Sequence, residues 1–138
     1  MDHVLIDTDV ILDFFFDRKP YSEFATEILN QCEAGALRGY VTPVIICNVY
    51  YLLRKTANHK TVIEKVKQLL SIIDVLTMDQ EVVFDALNSK FKDFEDALQN
   101  FTATKIQEIT VILTRNVKDY KHSTLAILTP ETYLKGKI

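Results

Sequence analysis

The sequence predicts an α/β fold: a single three-layer α/β/α domain over residues 1–138 with a mainly parallel central sheet. Short apolar runs at 3–6, 40–42, 74–77, 108–113 and 125–128 alternate with stretches of helical spacing along the whole chain. That order builds parallel strands joined by helical crossovers. Such crossovers are right-handed and lay helices on both faces of the sheet. With 138 residues, 48% of them hydrophobic, the chain fits one domain and can bury a substantial core. Only three glycines and three prolines occur, so long flexible linkers are not expected, and no internal repeat is visible.

Val4-Leu5-Ile6 is an apolar run closed by Asp7, as expected of a buried strand before an acidic turn. Residues 9–16 then form a short helix on which Asp9 and Asp13, four apart, share one face. Pro20 is placed to open the next helix, with Phe24, Ala25, Ile28, Leu29 and Cys32 as its buried stripe. Gly35 ends that helix where a left-handed residue is favoured. After the strand at 40–42, Pro43 starts a helix with Ile46, Val49, Tyr50 and Leu53 on one face. Helical spacing recurs over 61–73 through Val62, Val66, Leu69 and Leu70, ahead of the strand at 74–77. Asp79 caps a helix carrying Val82, Val83 and Leu87, and Asp93 caps another that turns Phe94, Ala97, Leu98 and Phe101 inward. The β-branched run at 108–113 is a strong strand, and Pro130 initiates a C-terminal turn or helix after the last one.

The formal net charge of −3 argues against attachment to nucleic acid by bulk charge alone, while leaving room for local basic patches. Asp2, Asp7, Asp9 and Asp13 interrupt any apolar core of a secretory leader. No apolar run reaches the ~18 residues that span a bilayer, so no membrane association is expected. Cys32 and Cys47 fall in apolar helical patterns and read as buried free thiols of a cytoplasmic protein, and no cysteine or histidine spacing suggests zinc.

The acids are placed where the apolar runs end. Asp7, Asp9 and Asp13 close and follow the first strand; Asp93 and Asp96 open a helix; Asn116 and Asp119 follow the strand at 108–113. Parallel strands carry their functional groups at their carboxyl ends, so the fold would bring these clusters to one edge. Carboxylates crowded in low dielectric repel one another, and a divalent cation is the simplest means of holding them together. Metal-dependent phosphate chemistry is the leading inference. Structural roles stand beside it. Asp7 can satisfy backbone N–H groups, and Asp9 can cap its helix. Asp93 at the cap with Asp96 three residues on forms a capping-box-like pair. Asn116 and Asp119 can shape a turn. Asp13 fits a solvated helix face or a partner for a nearby cation.

These segments resemble PIN domains. Leu5-Ile6-Asp7-Thr8-Asp9-Val10-Ile11-Leu12-Asp13 is similar to their opening motif, and Asp93-Phe94-Glu95-Asp96-Ala97-Leu98, followed by Ala103, to their central acidic helix start. Thr114-Arg115-Asn116-Val117-Lys118-Asp119-Tyr120 resembles their late segment, with Tyr120 in place of phenylalanine, and Ile127-Leu128-Thr129-Pro130-Glu131 fits the closing one. The resemblance covers essentially the whole chain. It implies a Mg²⁺- or Mn²⁺-dependent ribonuclease most like the VapC-type toxins of bacterial toxin–antitoxin pairs. Asp7, Asp96 and Asp119 then match the catalytic, metal-binding acids, Asp93 is a further metal-side acid, and Asn48, Asn116 and Asp9 support them. The sequence departs from the family at Asn48, in the second helix of the motif, where a glutamate is usual. Asparagine offers a neutral carbonyl oxygen or a hydrogen bond but no charge. A catalytically inactive PIN-like domain that binds RNA or protein is therefore the alternative, and Asp7-Thr8-Asp9 also admits an Asp-x-Asp phosphatase.

Candidate RNA contacts are Arg115, Lys118 and Arg54. Arg18, Lys19, Lys55, His59, Lys60, Lys121 and His122 belong to the same basic clusters, and either Tyr50 or Tyr51 can stack a base while the other packs in the core. Phe14-Phe15-Phe16 is more apolar than one short helix face needs. It points to a protein interface, with an antitoxin or a second copy in a homodimer, unless it packs beneath residues 17–21 of its own chain.

Overall fold

The computed structural model describes residues 1–136. Strands β1 (Asp2–Ile6), β2 (Leu37–Val41), β3 (Asp74–Val75), β4 (Ile109–Leu113) and β5 (Ala126–Leu128) form one sheet in the order β3-β2-β1-β4-β5. Every pairing is parallel, where the sequence predicted a mainly parallel sheet. Val4, Leu5 and Ile6 of β1 and Ile112 and Leu113 of β4 are fully buried. Consecutive residues point to opposite faces of a strand, so unbroken burial means that helices cover both faces, and this is why β1 and β4 are continuous apolar runs. Strand β2 alternates instead, with Leu37, Gly39 and Val41 inward and Arg38 outward, where Arg38 pairs with Asp74 of β3 at 2.9 Å.

The helices are α1 (Thr8–Phe15), α2 (Ser22–Glu33), α3 (Pro43–Leu53), α4 (His59–Leu69), α5 (Gln80–Leu87), α6 (Phe94–Thr104) and α7 (Pro130–Lys135). The predicted caps form as read: Asp79 accepts from the Val82 amide and Asp93 from the Asp96 amide, and Gly35 adopts φ +80° after α2. Several details differ. Helix α2 begins at Ser22 rather than at Pro20, because Asp17 accepts from the Ser22 hydroxyl at 2.8 Å and holds residues 17–21 as a turn. Phe24 is only half-buried. On α3, Val49 and Leu53 of the predicted face are buried and Ile46 and Tyr50 pack half-buried against the core, with Ile45 joining the buried stripe; Thr42 caps the helix through the Ile45 amide. Cys47, which had been expected to be buried, is exposed. Cys32 is buried, which pushes its thiol up to about 11.

Phe15 and Phe16 pack against the main core and only Phe14 of that run is exposed, so most of the triplet is satisfied within the chain. Larger exposed apolar side chains lie on α5 and at the start of α6, at Phe84, Leu87 and Phe94.

The sheet also fixes a tight position. A Cβ added at Gly39 would come within 2.8 Å of the Cys32 sulfur and 2.9 Å of the Ile6 Cδ1. Gly39→Ala is therefore expected to overpack the β2–α2 contact and cost about 1–3 kcal/mol. Chemical denaturation checks this, and a variant as stable as wild type would show that α2 can shift without penalty.

Candidate active site

Strand order reverses between β1 and β4: the chain moves one way through β2 and β3, then returns to the other side for β4 and β5. Such a switch point leaves a crevice beyond the carboxyl ends of the two strands. Asp7 leaves β1 there and Thr114 leaves β4, and the Asp7 amide donates to the Leu113 carbonyl at 3.0 Å.

Asp7 caps α1, accepting from the Thr8 amide at 2.8 Å, where the helix N-terminus favours negative charge. Its other oxygen accepts from the Thr114 hydroxyl at 3.0 Å and the Tyr120 hydroxyl at 3.1 Å. Those bonds favour the ionised form, but burial and the neighbouring Asp9 outweigh them and raise its carboxyl to about 6. The Tyr120 hydroxyl is held protonated by burial and by the charge of Asp7 and Asp96, so it remains a donor.

Asp9 sits in the first turn of α1 and accepts from the Arg115 amide at 2.9 Å. Its Oδ1 is buried without a hydrogen-bond partner. Burial raises its carboxyl despite that amide and the Arg115 charge. Asp13, on the same face, is 1% exposed and takes the Arg115 guanidinium in a two-pronged pair at 2.7 and 3.0 Å. Arg18 stands 3.6 Å away from it, and Arg115 lies 4.0 Å over the Tyr21 ring. Asp13 is thus the anchor that fixes the loop after β4 onto α1.

Helix α6 supplies the opposite wall. Asp96 is its third residue, and its carboxyl is raised to about 7 by burial and then by the charges of Asp93, Asp7 and Asp119. Four acids, Asp7, Asp9, Glu95 and Asp96, line one cleft together with Asn48, Asn116, Gln99 and Arg18. The cleft measures about 430 Å³, room for roughly a dozen water volumes. Asp93 and Asp119 face a separate recess with Lys92, Lys118, Lys121 and His122, and they act on Asp96 through charge.

The donor set is all oxygen, mutually repelling and partly buried, with one carboxylate oxygen orphaned. That composition fits a hard divalent cation. Among the described residues no three acidic, histidine or cysteine side chains form a ready-made ion cage. Mg²⁺ requires none, since it keeps several waters and is commonly held by one or two carboxylates.

The PIN domain family model matches residues 3–118. The chain belongs to the PIN domain family. This PIN domain is similar in fold to several solved structures. A toxin–antitoxin complex from Klebsiella pneumoniae matches with a TM-score of 0.69 at 20% identity, covering 92% of this chain and 97% of that one. VapBC-1 from nontypeable Haemophilus influenzae matches with a TM-score of 0.68 at 13% identity, covering 94% and 98%. FitAcB from Neisseria gonorrhoeae matches at 0.67 and 18% identity, covering 93% and 98%. No curated protein matches the sequence significantly.

Within this PIN domain the candidates read from sequence separate into groups. Asp7, Asp9, Asp96, Asn48 and Asn116 share the cleft, whereas Asp93 and Asp119 stand beside it. Arg115, offered as an RNA contact, is committed to Asp13. Arg54 donates to the Ala57 carbonyl at 2.9 Å. Lys118 does face the recess beside Asp119. Tyr50 packs against the core and meets His59 at 2.8 Å, leaving Tyr51 exposed. The residues missed were Thr114, Tyr120, Gln99 and Glu95. Glu95 had a signal: an acid next to Asp96 at a helix start, with Asn48 in mid-helix requiring a partner.

Proposed function

We propose that this PIN domain is a metal-dependent endoribonuclease that hydrolyses RNA phosphodiester bonds, and that it is the toxin of a toxin–antitoxin pair acting in the cytoplasm. The observation that carries the nuclease reading is the cleft itself, in which Asp7 and Asp96 face each other from α1 and α6 with their carboxyls raised by burial and mutual charge. PIN domains are generally nucleases. The toxin reading rests on the fold neighbours, which are toxin–antitoxin complexes.

Asp7 and Asp96 would hold Mg²⁺ or Mn²⁺, with Asp9 alongside and Asp93 and Asp119 adding negative potential from the recess. Such an ion supplies a Lewis acid for the phosphoryl oxygens and lowers the pKa of water. The chain's own contribution is orientation. Thr8, Thr114 and Tyr120 fix the Asp7 carboxylate, so no side-chain ordering is left to do when substrate arrives. Arg18 on the cleft wall and Lys92, Lys118, Lys121 and His122 around the recess offer cations to successive phosphates. An antitoxin would cover the cleft, and the exposed Phe84, Leu87 and Phe94 provide apolar surface for it or for a second copy of the chain.

Cleavage of mixed transfer and ribosomal RNA with Mn²⁺ or Mg²⁺ tests this. Wild type is expected to cut, and Asp7→Asn and EDTA are each expected to abolish cutting. Cutting that survives Asp7→Asn would remove the site assignment. No cutting and no Mn²⁺-dependent stabilisation of wild type would favour the inactive binding domain, the reading that Asn48 supports.

A further inference from the structure

The wall of the cleft formed by α3 carries no acid. Asn48 faces inward there, half-buried, at a mid-helix position that asparagine disfavours. Its Nδ2 donates to Oε2 of Glu95 at 3.1 Å across the gap between α3 and α6. The opposite amide orientation would set carbonyl oxygen against carboxylate oxygen, so the donor orientation is the one physics allows. Glu95 is the second residue of α6, next to Asp96 and one turn before Gln99. Gln99 is itself buried, accepting from the Thr42 hydroxyl that caps α3. The two helices are therefore tied at two levels: the α3 cap Thr42 to mid-α6 Gln99, and mid-α3 Asn48 to Glu95 at the start of α6.

A glutamate at an exposed helix start has three rotatable bonds and no need to face a cleft already holding Asp7, Asp9 and Asp96. Glu95 is solvent-exposed at the cleft rim, and charge repulsion alone would turn its carboxylate away from those acids. The Asn48 amide holds it in place by one oxygen and leaves Oε1 free. We propose that Glu95 is a direct carboxylate ligand for the divalent cation of this cleft and that Asn48 is its positioning residue. The acid absent from α3 is supplied from α6, and the amide on α3 orients it. This rests on the metal-dependent reading of the site, and it adds a ligand and a geometry that the acids at the strand ends do not imply. Oriented carboxylates are the usual partners of hard cations, and groups that orient a ligand typically change metal affinity by about 10–100-fold.

Calorimetric titration of Mn²⁺ into the full-length chain tests the assignment without relying on turnover. Glu95→Gln keeps the size and the hydrogen bond and removes the charge; it is expected to weaken Mn²⁺ about 10–100-fold. Asn48→Ala, which releases the carboxylate, is expected to weaken it about 10-fold, the lower end of that range. The double variant Asn48→Glu with Glu95→Gln moves the acid onto α3 and is expected to recover most of the affinity lost in Glu95→Gln. Far-UV circular dichroism confirms that each variant is folded. If Glu95→Gln binds Mn²⁺ like wild type while Asp96→Asn does not bind it, the ligand assignment fails and the metal site stands. If wild type itself binds no Mn²⁺, both the assignment and the metal-dependent reading fail.

Discussion

Asp96→Asn will raise the melting temperature of the metal-free protein at pH 8 while reducing RNA cleavage by more than about 100-fold. The two effects have one cause. Asp96 is surrounded by Asp93, Asp7 and Asp119 and is partly buried, so its carboxyl rises from 3.8 to about 7. A carboxyl raised on folding binds more protons in the folded than in the unfolded chain between those values. Its contribution to stability is intact below about pH 4 and is lost as pH rises through about 7. Asparagine carries no charge at any pH and escapes that loss. The helix N-terminus favours an anion at this position by about 0.3–1 kcal/mol, but the net upward shift says that burial and repulsion prevail. Asp96 is only half-buried, so after discounting for solvent screening the gain is on the order of 1 kcal/mol, or roughly 3–5 °C. The difference between variant and wild type should vanish near pH 4 and grow toward pH 8. On the proposed metal role of Asp96, added Mn²⁺ should narrow or reverse it by stabilising wild type more than the variant. A variant that melts lower than wild type at pH 8 without metal would contradict the electrostatic account.

Asp13→Ala is expected to be the most destabilising single change at the site, costing about 3–5 kcal/mol and lowering the melting temperature by roughly 10–20 °C. Asp13 is 1% exposed and is the counter-charge of Arg115. Removing it strands a guanidinium against Tyr21 and unfastens the loop that carries Thr114 and Asn116. The pair is a latch and not a net source of stability, because the attraction repays little more than the cost of burying the Asp13 carboxylate, while Arg115 stays partly exposed. Replacing both, as Asp13→Leu with Arg115→Met, should therefore recover much of the loss in thermal melts. A double variant as unstable as Asp13→Ala would mean that the loop needs the hydrogen-bond geometry itself. Cleavage should fall in Asp13→Ala, since the loop it unfastens carries the Thr114 hydroxyl and the Arg115 amide that hold Asp7 and Asp9.

Much of this protein was legible in its sequence. Two-residue and 3.6-residue periodicities are local, so the alternation of strands and helices, the parallel sheet and the caps at Asp79, Asp93 and Gly35 could be read directly. So could the gathering of Asp7, Asp9 and Asp96, because in a parallel α/β sheet the ends of strands and the starts of helices share one edge by topology. The exact face of each helix was not legible. On α3, Ile45 is buried more deeply than Ile46, Cys47 is exposed and Asn48 lines the cleft. Nor could sequence assign the cations and acids to partners. Arg115 reads as a free base beside Asp119, yet folding brings Asp13 to it from 102 residues away. Glu95 reads as an unremarked neighbour of Asp96 until Asn48 meets it from 47 residues away. By itself the sequence determined the layers and which edge carries the acids, since those follow from periodicity and chain order. Only the tertiary structure decided which acids face one another and which are already paired, because ion pairing depends on distances of a few ångströms that no local pattern encodes.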